Sequence, residues 1–229
     1  MKTDKLSADD INRLNHIDRI EDALQAIRRG SLVVVVDDED RENEGDLIMA
    51  AEMATPAAVA FMVRYTSGVL CVALPGERLD ALRLPLMVPR GNESMQTAFT
   101  VTVDYRHGTT TGISASDRAI TIRALVDPRA NADDFNRPGH LFPLCAMPGG
   151  VLERPGHTEA TVDLCRLAGL RAGGVLAEVV NDDGSMARLP QLIAFARQHD
   201  LPIITIRDLI AYRERMHDTV PVECDAMAA

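Results

Sequence analysis

Two apolar runs, Leu32-Val33-Val34-Val35-Val36 and Leu47-Ile48-Met49-Ala50-Ala51, are separated by only ten residues. Each has the length and composition of a buried strand. A connection this short joins neighbouring strands, because parallel neighbours need a crossover of about a dozen residues or more. The chain is therefore expected to build a mixed sheet, with the connection held close to the core.

That connection reads Asp37-Asp38-Glu39-Asp40-Arg41-Glu42-Asn43-Glu44-Gly45-Asp46, in which seven of ten side chains are carboxylates and one is a guanidinium. Crowded carboxylates repel one another, raise each other's pKa values and attract hard cations. An acidic run by itself is usually a solvated surface. The tight strand flanks and the internal Arg41 argue for more than that here. A calcium loop of the EF-hand type started at Asp40 would put Gly45 at its sixth place but Ala51, not Glu, at its twelfth. It lacks the bidentate ligand, and its flanks read as strands rather than helices.

Strands and helices interleave along the rest of the chain. Ile17, Ile20, Ala23, Leu24 and Ile27 have helical spacing, and Gly30 is placed to end that helix. Thr55-Pro56 supplies the cap and first residue of another, with Gly68 placed to close it. Residues 69–74 read as a strand, 77–83 as a short helix and 85–97 as a long loop. Phe99, Val101, Val103 and Tyr105 alternate with polar residues, as in a half-buried strand. Further helices are expected over 116–126, 158–169, 190–199 and 208–216, and strands over 141–147, 174–180 and 203–206. Residues 128–140 read as a polar loop, and Asn181-Asp182-Asp183-Gly184 as a turn. The expected architecture is one α/β (α+β) domain over 1–229, three-layered, with a mixed, twisted sheet flanked by helices. Residues 1–16 and 217–229 read as loose termini.

A net charge of −10 without a Lys/Arg-rich run argues against nucleic acid. No apolar run is long enough for a bilayer, and the polar N-terminus lacks a signal-peptide stretch, so no membrane and a cytoplasmic protein are expected. Cys71, Cys145, Cys165 and Cys224 show no Cys-x-x-Cys spacing; reduced, mostly buried thiols are expected.

Four further stretches bear on chemistry. Arg154-Pro155-Gly156-His157-Thr158-Glu159 offers a glycine turn, a helix N-terminus and a guanidinium, the parts of a phosphate cradle. It reads equally well as a helix capped by Thr158 beside a surface arginine. Arg-Pro-Gly-His also occurs at 137–140, and two such loops flanking one strand could converge on one anion. Glu178, a lone acid in an apolar strand, is either an edge residue or a held carboxylate with a raised pKa. Thr109-Thr110-Thr111-Gly112-Ile113-Ser114 reads as turn and capping chemistry, with phosphate contact the lesser alternative. Together these suggest a metal held by Glu and His, a phosphate cradle and carboxylates that move protons. Oxygen ligands with one imidazole suit Mg²⁺ or Mn²⁺.

Residues 37–46 closely resemble the signature loop of the 3,4-dihydroxy-2-butanone 4-phosphate synthase family. So do Thr110-Thr111-Gly112-Ile113-Ser114-Ala115-Ser116-Asp117-Arg118, Arg137-Pro138-Gly139-His140, residues 154–160 and Asn181-Asp182-Asp183-Gly184-Ser185-Met186-Ala187-Arg188. The motifs recur in order over roughly residues 17–213, which is far more specific than one short pattern. Some members carry a fused GTP cyclohydrolase II domain; this chain is too short for one, so the monofunctional form is expected.

The resemblance implies a lyase of riboflavin biosynthesis that turns D-ribulose 5-phosphate into formate and 3,4-dihydroxy-2-butanone 4-phosphate. It implies Mg²⁺ (or Mn²⁺) on Glu42 and His157. Substrate contacts carry over to Arg41, Glu42, Asp46, Arg154, Pro155, Gly156, His157, Thr158 and Glu178. Asp46, His140 and Glu178 carry over as catalytic: the carboxylates would exchange protons with the carbon skeleton, and His140 would assist or position them. A homodimer with sites near the interface is implied as well. The alternatives are another metal-dependent phosphosugar isomerase or aldolase, and a non-catalytic calcium-binding module.

Overall fold

The computed structural model describes residues 16–88 and 95–219, with side chains described as far as residue 216. β1 (Val33–Val36) and β2 (Gly45–Ala50) pair antiparallel, so the short connection does join neighbours. The remaining strands are β3 (Cys71–Pro75), β4 (Val103–Tyr105), β5 (Phe135–Ala146), β6 (Gly174–Glu178) and β7 (Ile203–Thr205). They form one seven-stranded sheet in the order β4-β5-β3-β6-β2-β1-β7. The β3–β5 and β1–β7 pairs are parallel and the others antiparallel, which makes the sheet mixed.

The strands are apolar on both sides because helices cover both faces. Val34, Val36, Leu47, Met49, Val72, Val175 and Ala177 point to one face. They pack under α2 (Pro56–Tyr65), α3 (Gly76–Ala81), α4 (Ala115–Val126) and α6 (Leu189–Gln198). Val33, Val35, Ile48, Ala50, Cys71, Ala73 and Leu176 point to the other, under α1 (Ile20–Arg28), α5 (His157–Leu167) and α7 (Ile206–Thr219). This period-2 division gives three layers. Burying each β1 valine stabilises the fold by roughly 1.5–3 kcal/mol. Among the described residues no helix is long and apolar enough to cross a membrane.

Several boundaries differ from expectation. β2 starts at Gly45, so Asp46 is a strand residue and not part of the loop. Only Val103–Tyr105 of the expected strand over 99–105 forms a ladder; Phe99 and Thr100 make isolated bridges. α5 starts at His157 with Gly156 as its cap, so Thr158 lies inside the first turn. The first half of β5 occupies residues expected to be loop. Arg137, Pro138 and Gly139 look like turn residues, but β3 joins β5 only from Phe142 onward. The earlier part pairs with β4 alone, and a register shift there skips from Asn136 to Leu141, so Pro138 falls in the irregularity rather than in a regular ladder. The expected loose termini fall largely outside the described residues, as does the centre of loop 85–97.

At Gly139 β5 lies close against the β4 backbone. A Cβ there would lie 2.0 Å from the Val103 carbonyl carbon and 2.2 Å from the Asp104 nitrogen. Both are backbone atoms that cannot rotate away. Gly139→Ala is therefore expected to destabilise the protein by about 1–3 kcal/mol. The check is the urea midpoint, and an unchanged midpoint would contradict the close approach.

Candidate active site

Asp46 lies opposite Val35 on one side and Glu178 on the other. Residues directly opposite in antiparallel strands share a face. Asp46 and Glu178 therefore both project toward the α1/α5/α7 layer, at the point where α5 begins. There the helix N-terminus, the acidic loop and the ends of β2 and β6 enclose a cavity of about 240 Å³. Arg41, Glu42 and Asp46 line it from the loop and β2, Arg154, His157 and Thr158 from the start of α5, and Glu178 from β6. Pro155 and Gly156 supply the turn that leads into α5.

The acidic loop is folded around Asp37, whose side chain is fully buried. One Asp37 oxygen accepts from the Glu44 N–H at 2.8 Å, and the other accepts from the Glu42 N–H at 3.1 Å and Arg41 Nη1 at 2.9 Å. Glu42 is thereby turned inward, while Glu39 and Asp40 face solvent. The solvated-surface reading therefore holds only for the outer part of the run. Asp38 pairs with Arg207 on α7.

His157 is 6% exposed, and its Nε2 lies 3.1 Å from the Val35 carbonyl oxygen. Only an Nε2–H can donate to that acceptor, which leaves Nδ1 facing Glu42 at 3.5 Å and Asp46 at 3.8 Å. Burial alone would lower the His157 pKa. The Asp46 charge, with those of Asp37 and Glu42 and the Glu42 hydrogen bond, more than reverses this and holds it at about 9. Conversely, the hydrogen bond from His157, against the opposing effect of burial and with help from Arg41, holds Glu42 at about 2. Burial pushes Asp46 up to about 7; the His157 charge opposes this and the charges of Glu178, Glu42 and Glu44 add to it. Asp46 Oδ1 is buried with no hydrogen-bond partner. An unsatisfied buried carboxylate oxygen beside a cavity is costly and suits a group that exchanges protons there. Glu178 is only half-buried, and its Oε2 accepts from Ser67 Oγ at 2.6 Å.

At the start of α5, Gly156 caps the helix without a side chain, so the first-turn N–H groups face the cavity. Arg154 Nη1 donates to the buried Glu159 at 2.6 Å, and its Nη2 donates to the Met95 carbonyl at 3.0 Å and to Thr97 Oγ1 at 3.1 Å. A Cβ on Gly156 would sit 2.4 Å from Arg154 Nη1 and 3.1 Å from Arg41 Nη2. Glycine at this turn lets two guanidinium groups, Arg154 paired with Glu159 and Arg41 with Asp37 and Glu42, flank one helix N-terminus, so that their remaining N–H donors and the helix dipole face one point.

The two Arg-Pro-Gly-His stretches do not converge within the chain. Arg137 donates to the Leu82 and Ala132 carbonyls. His140 is a strand residue whose Nδ1 lies 2.7 Å from Asp104 Oδ2, with its side chain 41% exposed. Leu144 of the same strand lines the cavity. Four residues of strand separate it from His140, about 13 Å. The Thr110 and Gly112 groups are spent on Asp117, which is itself capped by Ser114, so the turn-and-capping reading of that stretch holds. Glu44, Cys71, Thr97, Phe99, Leu144 and Leu176 complete the wall. No motif marked Thr97 or Leu144, and Cys71 reads from the sequence as a packing thiol, in keeping with a side chain whose pKa desolvation raises.

Asp37, Glu42 and His157 each bring one potential ligand atom within 4.8 Å of the others. The oxygens of Asp37 already accept three hydrogen bonds, whereas Glu42 Oε2 accepts from Arg41 Nη1 and His157 Nδ1 faces only Glu42 and Asp46, so Glu42 and His157 are the freer ligands. Their 3.5 Å separation is close to the spacing of about 3 Å between adjacent ligands in an octahedron with ~2.1 Å bonds.

The sequence pattern of the family described as 3,4-dihydroxy-2-butanone 4-phosphate synthase matches residues 21–212. A 3,4-dihydroxy-2-butanone 4-phosphate synthase of Agrobacterium fabrum is 63% identical over 196 residues, covering 86% of this chain and 92% of that protein. A bifunctional riboflavin biosynthesis protein of Arabidopsis thaliana is 59% identical over 86% of this chain and 36% of its own length. The crystal structure of a 3,4-dihydroxy-2-butanone 4-phosphate synthase in complex with two magnesium ions superposes with a TM-score of 0.86 at 47% identity, covering 89% of this chain and 100% of that one. With a family match over residues 21–212 and a relative 63% identical over 86% of its length, the chain belongs to the 3,4-dihydroxy-2-butanone 4-phosphate synthase family.

Proposed function

We propose that this chain converts D-ribulose 5-phosphate to formate and L-3,4-dihydroxy-2-butanone 4-phosphate, a lyase step of riboflavin biosynthesis, using Mg²⁺ or Mn²⁺. The observation that carries the reading is the juxtaposition, across one cavity, of a neutral-range carboxyl on Asp46, the Glu42–His157 pair and the α5 N-terminus. The substrate's five carbons become four plus one, so a proton must leave a carbon beside the carbonyl, water must leave and return, and a C–C bond must break. Each step moves protons.

Glu42 and His157 would hold the cation, with the Val35 carbonyl fixing the His157 tautomer that presents Nδ1. The cation, when bound, supplies positive charge to adjacent substrate oxygens. Arg154, Thr158 and the N–H groups of the 154–158 turn would receive the phosphate. Arg41, clamped by Asp37, would orient the sugar together with Asp46. Asp46 and Glu178, side by side on β2 and β6, would take up and return protons at the carbon skeleton.

His140 has a place in this scheme if it comes from a second copy. It is too far along β5 to serve the cavity of its own chain, yet Asp104 orients it and leaves it accessible. A homodimer with sites near the interface follows, working in the cytoplasm as one synthase domain. The test is product stoichiometry by NMR from D-ribulose 5-phosphate. Formate and the four-carbon phosphate in equal amounts support the synthase. A five-carbon isomer or aldol fragments without formate would establish the isomerase or aldolase reading instead. A calcium-binding module would give no product at all, and the guanidinium-flanked α5 N-terminus speaks against it.

A further inference from the structure

The stretch 181–188 has no part in the chemistry above. It folds back as a tight turn: the Asn181 N–H donates to the Ser185 carbonyl at 2.8 Å, and the Asp183 carboxylate accepts from the Ser185 N–H and Oγ. Val180 and Met186 bridge across its base. The turn delivers Arg188, the residue before α6, to the outer side of the acidic loop. Arg188 Nη1 donates to the Glu42 carbonyl at 2.9 Å and also to the Asn43 carbonyl. Glu44 Oε1 stands 3.9 Å from the same nitrogen.

Two consecutive carbonyls can converge on one donor here because Asn43 has φ +54, the left-handed region. That conformation is uncommon outside glycine but is well tolerated by asparagine, and converging carbonyl dipoles repel unless a cation stands between them. On the inner side Asp37 holds the N–H groups of Glu42 and Glu44. The loop is thus pinned at its carbonyls by Arg188 and at its N–H groups by Asp37. Glu42 lies between the two pins, and it is the loop's proposed metal ligand.

We infer that Arg188 is a positioning residue that sets Glu42 for the divalent cation through the backbone of the acidic loop. Resting on the metal reading of Glu42 and His157, this assigns a task to the 181–188 motif. Groups that orient metal ligands change affinity by about 10–100-fold when removed. The test is Mn²⁺ binding to the full chain, free of substrate, by electron paramagnetic resonance.

Arg188→Gln is expected to raise the Mn²⁺ Kd by about tenfold or more, with kcat largely recovered at saturating Mn²⁺ and the urea midpoint near wild type. Arg188→Lys, which keeps the charge without the planar fork, is expected to fall between Gln and wild type. A wild-type Kd in Arg188→Gln would overturn the inference. Should Arg188→Gln not fold, a wild-type Kd in Arg188→Lys would overturn it. Wild-type protein that binds no Mn²⁺ would instead sink the metal reading itself, a separate outcome.

Discussion

Asp46→Asn is expected to lower kcat by about 10²–10⁴-fold while changing KM for the sugar phosphate little, because it removes a proton acceptor and keeps the shape. The physical ground is specific. Asp46 is fully within the sheet, its Oδ1 has no partner, and burial sets its carboxyl at about 7. A carboxyl raised that far above the ordinary range can both take and give a proton near neutral pH. Asparagine hydrogen-bonds but does not titrate. The limb of the kcat profile near pH 7 should therefore vanish in the variant. Solvent-hydrogen exchange into unreacted substrate should fall in parallel. Wild-type exchange together with reduced kcat would move the proton-transfer role to Glu178 and leave Asp46 as a binding group.

Glu42→Gln is expected to abolish measurable Mg²⁺-dependent turnover and to move the His157 pKa from about 9 downward toward ~6.5. Both effects have one cause. Glu42 is the hydrogen-bond and charge partner of His157 as well as the proposed ligand. The folded protein holds the His157 proton more tightly than a free imidazole does. Its stabilising contribution is therefore present in full below pH ~6.5 and is lost as pH rises through about 9. A cation that binds Nδ1 must displace that proton. In the wild type its affinity should increase with pH, by about tenfold per pH value, and level off above about 9. Imidazole NMR titration reads the pKa directly. A His157 titration unmoved by Glu42→Gln would mean that the carboxylate does not govern the ring.

How much of this was legible beforehand can be traced residue by residue. The valine run of β1 and the short connection to β2 carried the mixed sheet, because strand length and loop length are local properties. Arg41, Glu42, Arg154, His157, Thr158 and Glu178 do meet in one cavity, and the motifs that named them were local too. Three features were not legible. Asp46 looked like loop, since a carboxylate beside a glycine gives no strand signal; it is buried by pairing with Val35 and Glu178, partners 11 and 132 positions away. The first half of β5 looked like a polar loop because its proline and glycine are judged against ordinary ladders, whereas the β4 register shifts there and leaves residues 137–140 outside the ladder. The tasks of Asp37 and Arg188 are hydrogen bonds to backbone atoms, which no side-chain pattern records. His140 shows a further limit: its motif matched, yet its own chain does not bring it to the cavity.

The central claim is that Glu42 and His157 hold a divalent cation needed to turn D-ribulose 5-phosphate into formate and a four-carbon phosphate. The most direct measurement is formate release from D-ribulose 5-phosphate with Mg²⁺, after exhaustive chelation, and after Mg²⁺ is restored in excess. Formate release that stops on chelation and returns with Mg²⁺ in the wild type, but not in Glu42→Gln, is the predicted result. Undiminished formate release from the fully chelated protein would contradict the claim.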